Sequence, residues 1–363
     1  MAAFTTVDDA GAYFNTIPWT GADNSVERVI TGVGFQPDLC WYHGRNVAYN
    51  TALWDAVRGA GNDKDIIANT TGIEGSGDWH EYGYLGSFDT DGFTGAVGSI
   101  NNGYFNRITY TYAMWNWKAG TTTGIDTTGS SITPSSYSFN QDAGFSIIKY
   151  TGDAGASALI PHGLGATPEL IVVKGLTTGQ SWAVYHQNMD ATAPEDYYII
   201  LETTGARVNA DNRWNDTAPT SVLFTVGSDS LVNDAYDYIA YCFAGKQGYS
   251  KFGTYKGTGN ADGTFVYTGF RPAYVMAKAS STTGSWYIFD NKREGQNSGS
   301  TYGNNILYAN ATTVESTDSL INILSNGFKG NTSGDPNTSN TYIYAAFAES
   351  PFVNSNGVPT NAR

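Results

Sequence analysis

Short runs of apolar and aromatic residues alternate along this chain with turns rich in Gly, Asn, Asp and Ser. Aromatic and β-branched residues predominate in the runs, and these residue types suit a pleated, half-buried strand. Many short strands separated by regularly spaced turns are typical of a two-layer sandwich or jelly roll. The pattern therefore predicts an all-β fold.

Residues 110–117, with the sequence YTYAMWNW, show this pattern most strongly. Successive residues of a strand point to opposite faces of a sheet. One face would carry Tyr110, Tyr112, Met114 and Asn116, and the other Thr111, Ala113, Trp115 and Trp117. Because both faces are partly apolar, we predict a central strand that also lies at a contact between units or between chains.

Three segments share one opening, in which a Gly and an apolar residue precede a Pro and then an apolar strand. The prolines are Pro37, Pro168 and Pro272. Proline has a fixed φ and no N–H, so it is suited to the start of a strand or to a sheet edge. An aromatic block follows each proline at a similar distance, with corresponding tyrosines at Tyr112, Tyr238 and Tyr342. Such self-similarity predicts three copies of one unit.

Further landmarks recur between the prolines and the aromatic blocks. We expect a Trp in the second strand of each copy, at Trp54, Trp182 and Trp286. The pairs Asp91-Gly92 and Asn326-Gly327 predict tight turns, because Gly supplies the positive φ that such turns need.

These landmarks divide the chain into three units. The units cover residues 1–120, 140–248 and 250–352, with a linker at 121–139 and a polar tail at 353–363. Each unit is long enough to bury its own core. We therefore expect three tandem β-sandwich repeats of the jelly-roll kind.

The first unit also resembles a known family. The strings GVGFQPDLCWYHGRN, TALWDAVRGAG and YAMWNWKAG are similar to a repeat domain of tail-fibre and other virion proteins of bacteriophages, particularly those of marine and cyanobacterial hosts. The similarity is clear over residues 10–120 and weaker in the other two units, which lack VRGAG. It implies a place on a tailed phage particle and a trimeric or higher-order assembly. It supplies no catalytic residue.

Charge narrows the range of partners. The chain carries 19 Lys and Arg against 33 Asp and Glu, a formal net charge of −14, which argues against nucleic acid and anionic membranes as partners. The opening residues lack the basic and apolar regions of a signal peptide, so we expect synthesis in the host cytoplasm and no membrane insertion. Cys40 and Cys242 stand in separate apolar runs and are expected to be buried thiols.

Catalytic and metal-binding patterns are weak. A glycosidase needs two carboxylates across a sugar bond, and Asp55 and Asp290 are the corresponding acids after the second strand. The second unit has Tyr185-His186 there instead, which favours an architectural role. His43, His80, His162 and His186 are scattered, so no metal site and no cofactor are expected.

Exposed aromatic residues are the better candidates for function. Tyr and Trp combine an apolar face with a polar tip, which serves both sugar stacking and protein interfaces. The Gly-rich segment EGSGDWHEYGY has little core to fill, so we expect an exposed loop there. The candidate ligand or interface contacts are Trp79, His80, Tyr82, Tyr84, Trp19 and Trp214.

The leading hypothesis is therefore a non-enzymatic virion structural protein in a tail fibre or other surface adhesin. Its expected partners are other virion proteins, further copies of itself in a trimer, and host-surface glycan. The alternative is a capsid decoration (cement) protein or head fibre that stabilises the shell. A polysaccharide-degrading enzyme is a third, less favoured interpretation.

Overall fold

A computed structural model describes residues 5–293 and 304–360. Strands dominate it, and the prediction of an all-β fold is confirmed. The helices are short: two 3₁₀ turns at Ala10–Ala12 and Pro194–Asp196, and the α-helices α1 (Trp79–Tyr82), α2 (Gly103–Asn106) and α3 (Asp211–Trp214).

Eight strands lie between residue 5 and residue 120. They are β1 (Phe14–Thr20), β2 (Arg28–Thr31), β3 (Leu39–Gly44), β4 (Ala52–Asp55), β5 (Ile66–Ile67), β6 (Tyr84–Asp89), β7 (Gly92–Ala96) and β8 (Thr111–Trp117). Sheet 1 has the strand order β1-β8-β3-β4-β5, and a smaller sheet has the order β2-β7-β6. All pairs in both sheets are antiparallel.

Nine strands follow in the middle of the chain. They are β9 (Ser136–Asn140), β10 (Phe145–Thr151), β11 (Ala158–Pro161), β12 (Leu170–Gly175), β13 (Ala183–His186), β14 (Tyr197–Ile200), β15 (Val208–Asn209), β16 (Leu223–Val226) and β17 (Asp237–Phe243). Sheet 2 has the order β15-β14-β13-β12-β17-β10-β9, and β11 pairs with β16. Residues 136–139 of β9 lie in the segment expected to be a linker, and Asn140 lies in the expected second unit.

Nine strands in the described residues after 249 form sheet 3 and a smaller sheet beside it. They are β18 (Ser250–Lys256), β19 (Phe265–Tyr267), β20 (Phe270–Ala279), β21 (Trp286–Asp290), β22 (Asn304–Tyr308), β23 (Ser316–Asp318), β24 (Ile321–Leu324), β25 (Gly327–Gly330) and β26 (Thr341–Pro351). Sheet 3 has the order β18-β26-β20-β21-β22-β23, and the smaller sheet has the order β19-β25-β24.

The three large sheets share one order of strands around a central strand. That strand is β8, β17 or β26, and it lies between β1 and β3, between β10 and β12, or between β18 and β20, respectively. The second strand of each pair follows the proline landmark or contains it. The prediction that residues 110–117 form a central strand is confirmed. Strands β3 and β12 begin two residues after Pro37 and Pro168, whereas Pro272 lies at a register shift inside β20, where a missing N–H is tolerated.

Strand register corrects one expected correspondence. Asp55, His186 and Asp290 pair with Leu39, Leu170 and Tyr274, which fixes them as corresponding positions. By that register Trp182 and Trp286 correspond to Thr51, and Trp54 does not correspond to either. Trp54 points to the face of sheet 1 that packs on its smaller sheet, whereas Trp182 and Trp286 belong to the core between the large sheets.

Three aromatic rings join the large sheets at their centre. The central strands carry aromatic residues at one equivalent position, which is Trp117 in β8, Phe243 in β17 and Phe347 in β26. Each of these rings contacts the other two. The ring centroids are 6.3 Å apart for Trp117 and Phe243, 5.5 Å for Trp117 and Phe347, and 5.8 Å for Phe243 and Phe347. These edge-to-face contacts are favourable beyond simple burial. We call the three residues the aromatic triad.

The triad is part of one core that draws on all three large sheets. Its members include Trp115 from sheet 1, Tyr241 from sheet 2 and Tyr274 from sheet 3, all almost fully buried. The opposite face of β8 carries Tyr112 and Met114 into a separate core with the smaller sheet. Thus both faces of β8 are buried, one against the smaller sheet and the other in the core that the large sheets share.

Candidate functional site

Asp55 is buried between sheet 1 and sheet 2 and forms bonds with residues of both. Its Oδ2 lies 2.5 Å from Nε of Arg58, and both side chains are almost completely buried. The same oxygen accepts a hydrogen bond from the hydroxyl of Tyr241 at 2.8 Å. A buried carboxylate needs such partners, because an unpaired charge in the interior is costly. Burial and the neighbouring Asp55 raise the pKa of Tyr241, so the phenol keeps its proton.

Asp290 repeats the arrangement between sheet 3 and sheet 1. Its Oδ2 lies 2.6 Å from Nε of Arg293 and accepts a hydrogen bond from Nε1 of Trp115 at 2.9 Å. Trp115 corresponds to Tyr241 on the central strand. Glu315 extends the network, with bonds of 2.8 Å to both Arg45 and Arg293. Both carboxylates proposed as catalytic candidates therefore hold the sheets together.

At the boundary between sheet 2 and sheet 3, a histidine, His186, occupies the position equivalent to Asp55 and Asp290. Nε2 of His186 donates to the carbonyl of Tyr344 at 3.1 Å, while Nδ1 accepts from the N–H of Asn188 at 3.1 Å. These two bonds require a neutral ring with its proton on Nε2. Burial lowers the pKa of His186 to about 4, which agrees with that protonation state. Ala345 occupies the place of Trp115 and Tyr241 and has no donor to offer.

Trp79 is buried, and the expectation of an exposed aromatic loop is wrong at this residue. Its side chain is 0% exposed and lies edge-to-face against Tyr42 and Trp54, with both ring centroids 4.9 Å away. Gly77 makes this packing possible, because a Cβ there would lie 2.4 Å from Cδ1 of Trp79. The glycines of this segment therefore allow close packing of the indole.

Trp19 and Trp214 are also buried, contrary to the expectation of exposure. Trp19 donates from Nε1 to the carbonyl of Phe105 at 2.7 Å, and Trp214 donates to the carbonyl of Tyr197 at 3.1 Å. Each indole thus satisfies its polar atom inside a core. Among the other candidates, His80 is exposed, and Tyr82 and Tyr84 are half-buried.

The remaining histidines and the cysteines occupy core positions. His43 and His162 are buried and hydrogen-bonded to backbone carbonyls, and Cys40 and Cys242 are buried free thiols, as predicted. Within residues 5–293 and 304–360, no group of three His, Cys, Asp or Glu side chains could hold a metal ion.

Two depressions of the described surface lie along β18, at the boundary of sheets 2 and 3. One has a volume of about 460 Å³ and the other about 710 Å³, and they meet at Lys251 and Tyr267. We call the pair the β18 groove. Lys251 crosses it, because Nζ donates to the carbonyl of Tyr267 at 2.8 Å and lies 5.4 Å from the centre of that ring.

The wall of the β18 groove opposite β19 is polar and fixed. Nε2 of Gln187 donates to Oε2 of Glu169 at 2.7 Å and to the carbonyl of Phe252 at 2.9 Å. Burial raises the pKa of Glu169, although hydrogen bonds from backbone N–H groups and Gln187 oppose that shift. The facing strand β19 presents Phe265 and Tyr267, which are 45% and 54% exposed. No part of this groove was among the residues predicted from sequence.

The fold and these contacts define an all-β protein whose large sheets are joined by buried polar side chains. A sequence model of the family described as a domain of unknown function (DUF7483) matches residues 9–351, and the chain belongs to that family. The match runs through all three large sheets. Comparison with curated proteins and with solved structures gives no match.

The helices of the described residues are short, and none of them combines the length and the apolar character needed to cross a bilayer.

Proposed function

We propose that this protein is a non-catalytic structural protein on the surface of a tailed phage particle, in a tail fibre, where it binds host-surface glycan. The proposal rests mainly on the buried positions and the bonding partners of Asp55 and Asp290. Each carboxylate is bonded to a buried arginine and to an aromatic donor of the neighbouring sheet. A glycosidase would need such acids open to substrate on both sides of a sugar bond.

The proposed fold is three tandem β-sandwich repeats of jelly-roll type. The shared strand order of the large sheets and the smaller sheet packed beside each of them support it. The resemblance of residues 10–120 to repeat domains of phage virion proteins supports the proposed location. Other virion proteins would then be the partners of the chain, and a trimer its assembly.

A capsid decoration protein is the second candidate, and the aromatic triad favours it. Three large sheets that meet at three mutually contacting rings give one chain an approximate threefold arrangement. Such a chain could cover a threefold position of an icosahedral shell without forming a trimer.

Immunogold labelling of whole particles with antibody to the purified chain separates the two candidates. Label on the tail is the expected result, and label on the head would establish the decoration protein instead. Particles without label at either place would contradict both. The mass of the purified chain in solution, measured by light scattering, tests the proposed trimer.

A measurement of activity tests the non-catalytic part. The purified chain is expected to release no reducing sugar from capsular or envelope polysaccharide of the host. Release at a rate proportional to protein concentration would overturn this part and leave the particle location to be judged separately.

A further inference from the structure

We infer that the β18 groove binds an acidic oligosaccharide. The inference rests on the proposed recognition role, which it deepens by naming a site and a ligand class. It places the glycan contact in the β18 groove and not in the segment around Trp79, because the Trp79 indole is buried.

Comparison of the sheet boundaries explains why this groove exists. Phe145 of β10 and Ser250 of β18 pair with Phe243 and Phe347 at corresponding places on the central strands. In sheet 2, strand β9 pairs with β10 from residue 145 to residue 149 and covers its edge. In sheet 3, the chain passes directly from β17 to β18 through residues 244–249, so the corresponding edge forms a wall of the groove.

The edge of β18 is already provided with hydrogen-bond partners, which disfavours a peptide strand as the ligand. Ser250 exchanges backbone bonds with Lys246, and Thr264 donates to the carbonyl of Lys256. The carbonyl of Phe252 accepts a hydrogen bond from Gln187, and its N–H donates one to Glu169. An added strand gains its affinity from main-chain hydrogen bonds, and these positions no longer offer them.

The side chains of the groove instead suit a sugar. Phe265 and Tyr267 lie two residues apart on β19, so both rings stand on the same face of the strand, roughly 7 Å apart along it. Exposed aromatic rings offer flat apolar surfaces, and the amide of Gln187 and the carboxylate of Glu169 offer donors and acceptors. Few precisely placed polar groups beside aromatic rings are the usual composition of a small-ligand site.

Charge selects the acidic class of sugar. Lys246, Lys251 and Lys256 line the groove, whereas Glu169 is the acid in its lining. This local excess of positive charge stands out in a chain with a net charge of −14. A cleft of one sign attracts ligands of the opposite sign and is sensitive to ionic strength. Uronate, sialate and sulfated sugars meet this requirement.

Calorimetric titration of the full chain tests the inference. The probes are tetramers of galacturonate, of mannuronate and of a sulfated galactan, and each is compared with its neutral methyl-esterified or desulfated counterpart. We expect at least one acidic tetramer to bind, with affinity about tenfold above that of its neutral counterpart at low salt. Failure of every acidic tetramer to bind overturns the inference.

Variants assign the binding to the groove. Tyr267→Ala and Lys256→Gln should each weaken binding by about tenfold, corresponding to one ring contact or one ion pair in a partly buried site. Tyr236→Ala and Lys64→Gln remove similar side chains elsewhere on the surface and should change nothing. Equal loss in the two sets, or loss in neither, would place the ligand outside the groove.

A peptide strand is the competing class of ligand for the groove. A synthetic peptide with the sequence of residues 134–142, which contains β9, should not displace the bound tetramer. Displacement would identify the groove as an acceptor of a peptide strand and overturn the sugar assignment. If particle labelling succeeds while the groove variants bind tetramers and host cells normally, the inference fails and the proposed function stands.

Discussion

Tyr241 donates its hydroxyl hydrogen to Asp55 across 186 positions of the chain, at a distance of 2.8 Å. The bond joins the central strand of sheet 2 to the end of β4 in sheet 1. We expect Tyr241→Phe to lower the free energy of unfolding by about 1.5–3 kcal/mol, because the acceptor is a charged, buried carboxylate. Urea denaturation followed by tryptophan fluorescence measures the change.

The matched control for this variant is Tyr150→Phe. The Tyr150 hydroxyl donates to the neutral carbonyl of Val232 at 2.7 Å and is equally buried. A loss of about 1 kcal/mol is expected there. If the two variants lose the same amount, the charge of Asp55 contributes nothing to the bond.

Asp290→Asn tests the corresponding junction between sheet 3 and sheet 1. The Arg293 side chain is completely buried, and the substitution removes one of its two carboxylate partners. We expect a loss of about 3–5 kcal/mol, the range for breaking a buried ion pair on one side. Asp262→Asn, which removes an exposed partner of Lys329, should leave the denaturation midpoint unchanged.

The aromatic triad should make the chain unfold as one unit. Phe243→Ala removes a ring that contacts both other triad members and leaves a cavity, at a cost of about 3–5 kcal/mol. Because the core is common to the three large sheets, hydrogen exchange should rise in all three together. Faster exchange confined to sheet 2 would show that the sheets unfold independently. Phe265→Ala, at an exposed ring, is the control.

His186 should make stability depend on pH. Its pKa is about 4 in the folded chain and near 6.5 when unfolded, so the unfolded state binds more protons between these values. Its contribution is complete above pH 6.5 and is lost as the pH falls toward 4, by up to about 3 kcal/mol. Denaturation midpoints between pH 7 and pH 4.5 should therefore fall more steeply for the native chain than for His186→Gln.

The comparison between the native chain and the variant removes the contributions of other groups. Burial raises the pKa of Asp65 to about 6, and a carboxyl shifted in this direction opposes the histidine over the same pH range. His80→Gln alters an exposed ring and should leave the pH profile as it is. Identical slopes for the native chain and His186→Gln would mean that the buried imidazole does not titrate in this range.

Local pattern was enough to predict the central strands and their neighbours. The alternation of residues along β8 predicted that Tyr112 and Trp115 lie on opposite faces, and the structure places them in two different cores. This could be predicted because the period of a strand and its apolar content depend only on neighbouring residues in the sequence. Tight turns join the hairpins β6–β7 and β24–β25 at residues 90–91 and 325–326, close to where they were predicted. Gly92 and Gly327, however, are the first residues of the strands that follow, and Gly327 does not have the positive φ that was expected of it.

Contacts between distant residues could not be predicted in the same way. Trp79 was expected to be exposed because Gly-rich sequence usually marks a loop, whereas Gly77 serves to bring the backbone against the indole. The β18 groove brings Glu169 and Gln187 of sheet 2 beside Lys251 and Tyr267 of sheet 3. No local signal relates these residues, since their proximity depends on how two sheets meet.

The order of contacts between the sheets has a mechanical consequence. The chain itself crosses from sheet 1 to sheet 2 and from sheet 2 to sheet 3. Among the residues that the structure describes, sheets 1 and 3 meet through noncovalent contacts such as Trp115 with Asp290 and Arg45 with Glu315. A load that separates sheets 1 and 3 is therefore carried first by these side chains. Under tension, sheets 1 and 3 would separate first, while the chain would still connect sheet 1 to sheet 2 and sheet 2 to sheet 3.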